Sequence, residues 1–200
     1  MTETAVEHTA KKAKIKAAKD KLYASKTIEK GLLIVHTGTG KGKSTAAWGL
    51  AMRCLGHGLK LGDVQFVKGR RETGERQLLE RFPELVTIKV MGEGFTWETQ
   101  DKARDIAAAE AAWDETEKML QDPELHMVIL DELNIVLRYD YLSLDRVLDA
   151  LKNKRPNLHV VATGRNAKPE LIEAADLVTE MTQVKHPFRS GVKAQAGVEF

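Results

Sequence analysis

Lys43 and Ser44 are the first residues from which a chemistry can be argued. They close the stretch Val35-His36-Thr37-Gly38-Thr39-Gly40-Lys41-Gly42-Lys43-Ser44-Thr45, with glycines at alternate positions 38, 40 and 42. A glycine-rich turn that runs into a helix aims several backbone N–H groups at one point, and the helix dipole adds positive potential there. A lysine at the end of such a turn reaches phosphate oxygens, and the hydroxyl after it binds Mg²⁺. The apolar run Leu32–Val35 predicts the strand that must feed the turn, and the helix formers Ala46–Cys54 predict the helix that must follow. The pattern is a P-loop for a nucleoside triphosphate, one residue shorter than usual. Only Thr39, Gly40 and Lys41 separate Gly38 from Gly42-Lys43, and Thr37 stands where the first glycine belongs.

Met127-Val128-Ile129-Leu130-Asp131-Glu132 has the form of a second phosphate-site strand, apolar and ending in carboxylates. In a parallel sheet the carboxyl ends of the strands carry the ligand, so Asp131 and Glu132 are expected beside the P-loop. One carboxylate there can hold a divalent cation, directly or through water. In an ordinary ATPase Glu132 would instead polarise an attacking water, and spacing alone leaves both roles open. Thr163-Gly164-Arg165 follows another strand at the same edge, which puts Arg165 in reach of phosphate. Arg53, about two and a half turns beyond Lys43, reads as a surface residue and is kept among the candidate nucleotide contacts. Phe95 and Trp97 sit two residues apart in a glycine-flanked loop. They either anchor that loop or form a platform for a flat apolar ligand. His36, on the strand before the loop, reads as a satisfied core histidine. The other histidines lack metal-ligand spacing, and no Ser-His-Asp or Cys-His arrangement stands out.

These residues need a sheet to hold them. Strand-like runs (Leu32–Val35, Leu59–Val67, Val86–Met91, Met127–Leu130, His159–Ala162, Leu177–Met181) alternate with helix-like ones (Ala46–Cys54, Glu75–Arg81, 98–121, Leu142–Lys152, Pro169–Ala175). The alternation predicts an α/β fold: a P-loop NTPase-like (RecA-like), mostly parallel sheet covered by helices on both faces. With 200 residues and 42% hydrophobic content, the folded body is one domain, residues 31–200. Residues 1–30 form a separate basic arm or helix. They hold eight lysines and four acids, a balance of +4, so −2 is left for the body. A nearly neutral body argues against a nucleic-acid partner. No apolar run approaches membrane-span length and no secretory signal is evident, so a cytoplasmic protein is expected. The single cysteine, Cys54, fits a reducing compartment.

Taken together the motifs resemble the P-loop-type ATP:corrinoid adenosyltransferases of cobalamin biosynthesis and salvage. The resemblance rests on the shortened loop Gly38–Ser44, on Val64-Gln65-Phe66-Val67-Lys68-Gly69, and on Gly94-Phe95-Thr96-Trp97-Glu98-Thr99. It continues through Gly74-Glu75-Arg76, Leu130-Asp131-Glu132-Leu133, Thr163-Gly164-Arg165 and the segment Val184–Gln195. It implies transfer of the 5′-deoxyadenosyl group of ATP to the Co(I) of a reduced corrinoid, with release of the whole triphosphate and with ATP reversed relative to the usual P-loop orientation. The corrinoid would be cobyrinic acid a,c-diamide, cobinamide or cobalamin. By the same resemblance Gly38, Thr39, Gly40, Lys41, Gly42, Lys43, Ser44 and Thr45 bind ATP, while Lys43 and Arg165 stabilise the departing charge. Ser44 and Glu132 hold Mg²⁺ (or Mn²⁺). Phe95 and Trp97 press on the lower face of the corrinoid and displace its axial ligand. A reduced flavoprotein donor and a homodimer are also implied. Thr39 stands where the family commonly has Asn. Two other classes remain open on the residues alone: a P-loop ATPase or small-molecule kinase, and a non-catalytic corrinoid carrier.

Overall fold

A computed structural model describes residues 5–67, 73–91 and 101–200. The chain divides into two compact units, Met1–Lys30 and Gly31–Phe200. The first carries one helix, α1 (Ala5–Ala24), built from a run of alanines and lysines that are strong helix formers. Ile15 and Leu22, its larger apolar side chains, are both exposed.

The second unit is built on β1 (Leu33–Thr37), α2 (Lys43–Gly56), β2 (Lys60–Gln65), α3 (Gly74–Leu79), β3 (Val86–Val90) and α4 (Lys102–Gln121). It continues through β4 (Leu125–Asp131), α5 (Leu133–Arg138), α6 (Leu144–Lys152), β5 (His159–Thr163), α7 (Pro169–Ala174) and β6 (Leu177–Glu180). A 3₁₀ turn at Pro187–Ser190 follows. The six strands form one sheet in the order β3-β2-β4-β5-β1-β6, and every pairing is parallel.

Alternation along the strands sorts the core into two layers. Leu33, Val35, Val128, Leu130, Val160 and Ala162 face Trp113 and Leu120 of α4, Val136 and Leu137 of α5, and Val147 of α6. Ile34, Ile129 and Val161 face Ala47, Trp48 and Ala51 of α2 and Leu79 of α3. Both faces of the central strands are covered, so β1, β4 and β5 are buried along nearly their whole length rather than at alternate positions. Polar hydrogen bonds fix the helix ends: the Asp101 side chain accepts from Arg104 N–H at the start of α4, and Ser143 from Arg146 N–H at the start of α6. Three carboxylates of α4 (Glu110, Asp114 and Glu117) then hold Arg146 of α6 at 2.5–2.8 Å.

Two sequence expectations shift. The helix expected over 98–121 starts at Lys102, after the extended N-cap Asp101, and positions 98–100 lie outside the described residues. Helix α5 had no counterpart in the sequence reading. Leu133–Arg138 prolongs the apolar run of β4 with no capping side chain, and the chain turns on the left-handed backbone of Glu132 (φ 61°). Among the described residues no helix is long and apolar enough to cross a membrane.

Candidate functional site

The carboxyl ends of β1, β4 and β5 bring the predicted residues to one edge. β5 lies between the other two strands, with His36 level with Thr163 and Leu130 level with Ala162. Thr163 therefore ties the halves of the site together. Its hydroxyl donates to Asp131 Oδ1 (2.6 Å) and accepts from the Glu132 N–H (2.9 Å).

The shortened loop divides into two parts with different work. Its first half packs. Gly38 has φ 95°, and a Cβ there would lie 2.4 Å from the Met181 carbonyl oxygen. At Gly40 a Cβ would lie 2.7 Å from the Thr182 backbone, and the Gly40 N–H already donates to Met181 O (2.6 Å). Thr37, in place of the first glycine, accepts from the Ala167 N–H through its hydroxyl (3.0 Å) and so fastens the loop after β5. The second half, Gly40–Thr45, lines a cavity of about 870 Å³. Gly42 (φ 104°) makes the turn that aims the first amides of α2 into it.

Lys43 is buried, and its ammonium donates to Gly40 O (2.5 Å). Burial lowers its pKa, and the nearby Glu132 carboxylate opposes that shift. Glu132 is pushed up to about 7, first by burial and then by the Asp131 charge, with Lys43 and Arg165 pulling the other way. Its Oε2 is buried with no hydrogen-bond partner among the described residues. Burial also raises Asp131, against the hydrogen bonds from Thr163 and Ser44. Ser44, Asp131 and Glu132 thus present hard oxygen donors beside Lys43. Among the described residues no group of three or more His, Cys, Asp or Glu side chains forms a cage for a metal ion. That donor set suits a Mg²⁺ that keeps waters and takes its remaining ligands from phosphate.

Arg165 is exposed and lines the cavity, its charge acting on both Lys43 and Glu132. Lys41 is exposed and paired with Glu199. Gly38 and Thr39 do not line the cavity, and Arg53 stands exposed on the last turn of α2, away from it. Phe95 and Trp97 lie outside the described residues. His36 is buried as expected but not satisfied: neither ring nitrogen has a hydrogen-bond partner among the described residues, and burial lowers its pKa.

Sequence reasoning gave the opposite wall no role. Gln65, Thr73, Glu75 and Arg76 line it, and so does the segment Gly197–Phe200. Gln65, Glu75 and Arg76 stand in segments that carry the family resemblance, whereas Thr73 and Gly197–Phe200 stand in none. The Gln65 amide donates to the buried Asp63 (3.0 Å).

Comparison with known proteins identifies the family. The family model for the ATP:corrinoid adenosyltransferases BtuR/CobO/CobP matches residues 29–200. A corrinoid adenosyltransferase of Sinorhizobium sp. is 56% identical over 195 residues, covering 96% of this chain and 91% of that protein. One from Pseudomonas aeruginosa is 55% identical, covering 96% and 95%. Corrinoid adenosyltransferase CobA of Salmonella typhimurium is 47% identical over 187 residues and 94% of each chain. The chain belongs to the ATP:corrinoid adenosyltransferase family BtuR/CobO/CobP.

Proposed function

We propose that this protein transfers the 5′-deoxyadenosyl group of ATP to the Co(I) centre of a corrinoid and releases tripolyphosphate. Cobalt supplies both electrons of the new Co–C5′ bond and becomes formally Co(III). The C5′–O bond breaks, and its pair leaves on the triphosphate. The nucleophile belongs to the substrate, so the protein's tasks are to position C5′ and to stabilise the departing charge. The observation that carries this reading is one cavity joining a phosphate-binding loop to a carboxylate pair, in a chain of this family.

Within that cavity the Lys43 ammonium exchanges Gly40 O for phosphate oxygens, and the amides of Gly42–Thr45 hold the same group through the helix start. Arg165 adds charge from the β5 side. Ser44 and Glu132 hold Mg²⁺, which when bound neutralises phosphate charge. Thr163 keeps Asp131 in place and fixes the backbone of Glu132. In this reading Phe95 and Trp97 hold the corrinoid without its axial ligand, which makes Co(II) easier to reduce. A reduced flavoprotein supplies the electron, and the enzyme works as a homodimer in the cytoplasm.

The test is an anaerobic assay with pre-reduced corrinoid and Mg·ATP, reading the corrinoid spectrum and the phosphorus product. A carbon–cobalt bond with tripolyphosphate in equal amount is expected. ADP would make the chain an ATPase or kinase, and binding without a new bond would make it a carrier. For the aromatics, Phe95→Ala and Trp97→Ala should lower activity from Co(II) far more than from Co(I). An equal loss in both assays makes them scaffold.

A further inference from the structure

The cavity contains an anion of its own. Segment 195–200 folds into a tight turn, with the Glu199 N–H donating to Gln195 O (2.8 Å) and the Gly197 N–H to Phe200 O (2.8 Å). Its last four residues line the same cavity as Gly40–Thr45. From this turn the Glu199 carboxylate pairs with the ammonium of Lys41, the loop lysine not engaged by Gly40. The Glu199 side chain is only 18% exposed, against 50% for Lys41, so the carboxylate is the inner partner of the pair. Lys41 in turn holds the Glu199 carboxyl below the usual range.

A polyphosphate chain entering this cavity brings several negative charges to within a few ångströms of that carboxylate. Two anions then compete for one ammonium. Polyphosphate carries the greater charge and also gains the loop amides and Lys43, so Lys41 turns to it and Glu199 is left facing like charge. We propose that Glu199 is an internal placeholder for polyphosphate on Lys41, displaced together with the 195–200 turn when the ligand binds and restored when it leaves. The device answers a specific difficulty. A product that is all phosphate would cling to a loop built to hold phosphate, and a competing carboxylate speeds its release. This inference rests on the polyphosphate site proposed above, but its test needs neither corrinoid nor group transfer.

Inorganic tripolyphosphate is titrated calorimetrically into the full chain and into Glu199→Gln, which keeps the side-chain shape and hydrogen bonding while removing the charge. The variant should bind about two- to fivefold tighter, as expected for the loss of one partly exposed ion pair. The gain should shrink as salt screens the pair in the parent. In a Lys41→Ala background the same substitution should bring no such gain. Hydrogen exchange at the amides of residues 197–199 should quicken when tripolyphosphate binds. Unchanged or weaker binding by Glu199→Gln, a gain that persists without Lys41, or slower exchange in the complex would each overturn the placeholder: Glu199 would then be a bystander or a clamp on the ligand. If tripolyphosphate does not bind the parent chain at all, the polyphosphate site itself fails, and this inference with it. If it binds as described while no carbon–cobalt bond forms, only the adenosyl-transfer reading is lost.

Discussion

The two walls of the cavity are made by different means. The P-loop wall is programmed by backbone: glycines that admit a close approach, a turn that aims amides, and a helix dipole behind them. The opposite wall is assembled from side chains of β2, α3 and segment 197–200, which meet only through the fold. A backbone-built wall has little tolerance for change, because a displaced loop loses all its donors at once. A wall built of separate side chains loses them one at a time. Substitutions on the two sides should therefore differ in size and in kind.

Gly38→Ala should have the largest effect. The new Cβ meets the Met181 carbonyl at 2.4 Å on a backbone with φ 95°, so neither the loop nor β6 can yield cheaply. Overpacking against main chain and left-handed strain together cost about 2–4 kcal/mol. Chemical denaturation should show that loss, and ATP binding should disappear with it. A variant that melts and binds like the parent would mean the loop is not rigid, and the comparison between the walls would fail.

Lys43→Ala and Glu132→Ala come next. Each should lower adenosyl transfer at least about tenfold at saturating ATP, or ~1.4 kcal/mol of transition-state stabilisation. Stability should change less, since the Lys43 bond to Gly40 O is a local one. On the facing wall, Arg76→Ala should cost only about threefold, in KM rather than kcat, because a partly exposed cation is well screened. Its melting temperature should stay near the parent's. An Arg76 effect on kcat as large as that of Lys43 would erase the distinction between the walls.

The same contrast explains what could be read from the sequence. The P-loop, the Asp131-Glu132 strand end and Thr163-Gly164-Arg165 are contiguous, and each carries its reason in its own spacing. β1 and β4 announced themselves as apolar runs, while β2 had to be seen through Gly62 and Asp63. Both of these have tertiary causes. At Gly62 a Cβ would meet the Met119 sulfur of α4 at 2.6 Å, and Asp63 is buried against Gln65. Helix α5 escaped because its apolar, uncapped residues read as more of β4. The pairing of Lys41 with Glu199 spans 158 residues, and no window along the chain reveals it.

Asp63 provides the smallest effect on activity and the finest test of how the side-chain wall is held. It is fully buried on the α2 face of β2, accepts from Gln65 through Oδ2, and has no partner for Oδ1 among the described residues. Burial, with the Asp131 charge adding to it, raises its pKa well above the usual carboxylate value, against the Gln65 hydrogen bond. The folded state therefore keeps this proton at pH values where an unfolded aspartate, near 3.9, has lost it. Over that window the native chain binds more protons than the unfolded one, so its stability falls as pH rises through the ordinary carboxylate range and up to the folded pKa. Asp63→Asn removes the ionisation, and its amide oxygen still accepts from Gln65. The variant should match the parent near pH 4 and become the more stable of the two as pH rises, by roughly 1 kcal/mol or more, with adenosyl transfer nearly unchanged. Denaturant midpoints measured from pH 4 to 8 decide it. A gap that stays flat with pH, or an asparagine variant less stable at pH 8, would mean that Asp63 is ionised and satisfied in the native state and that the facing wall rests on a charge.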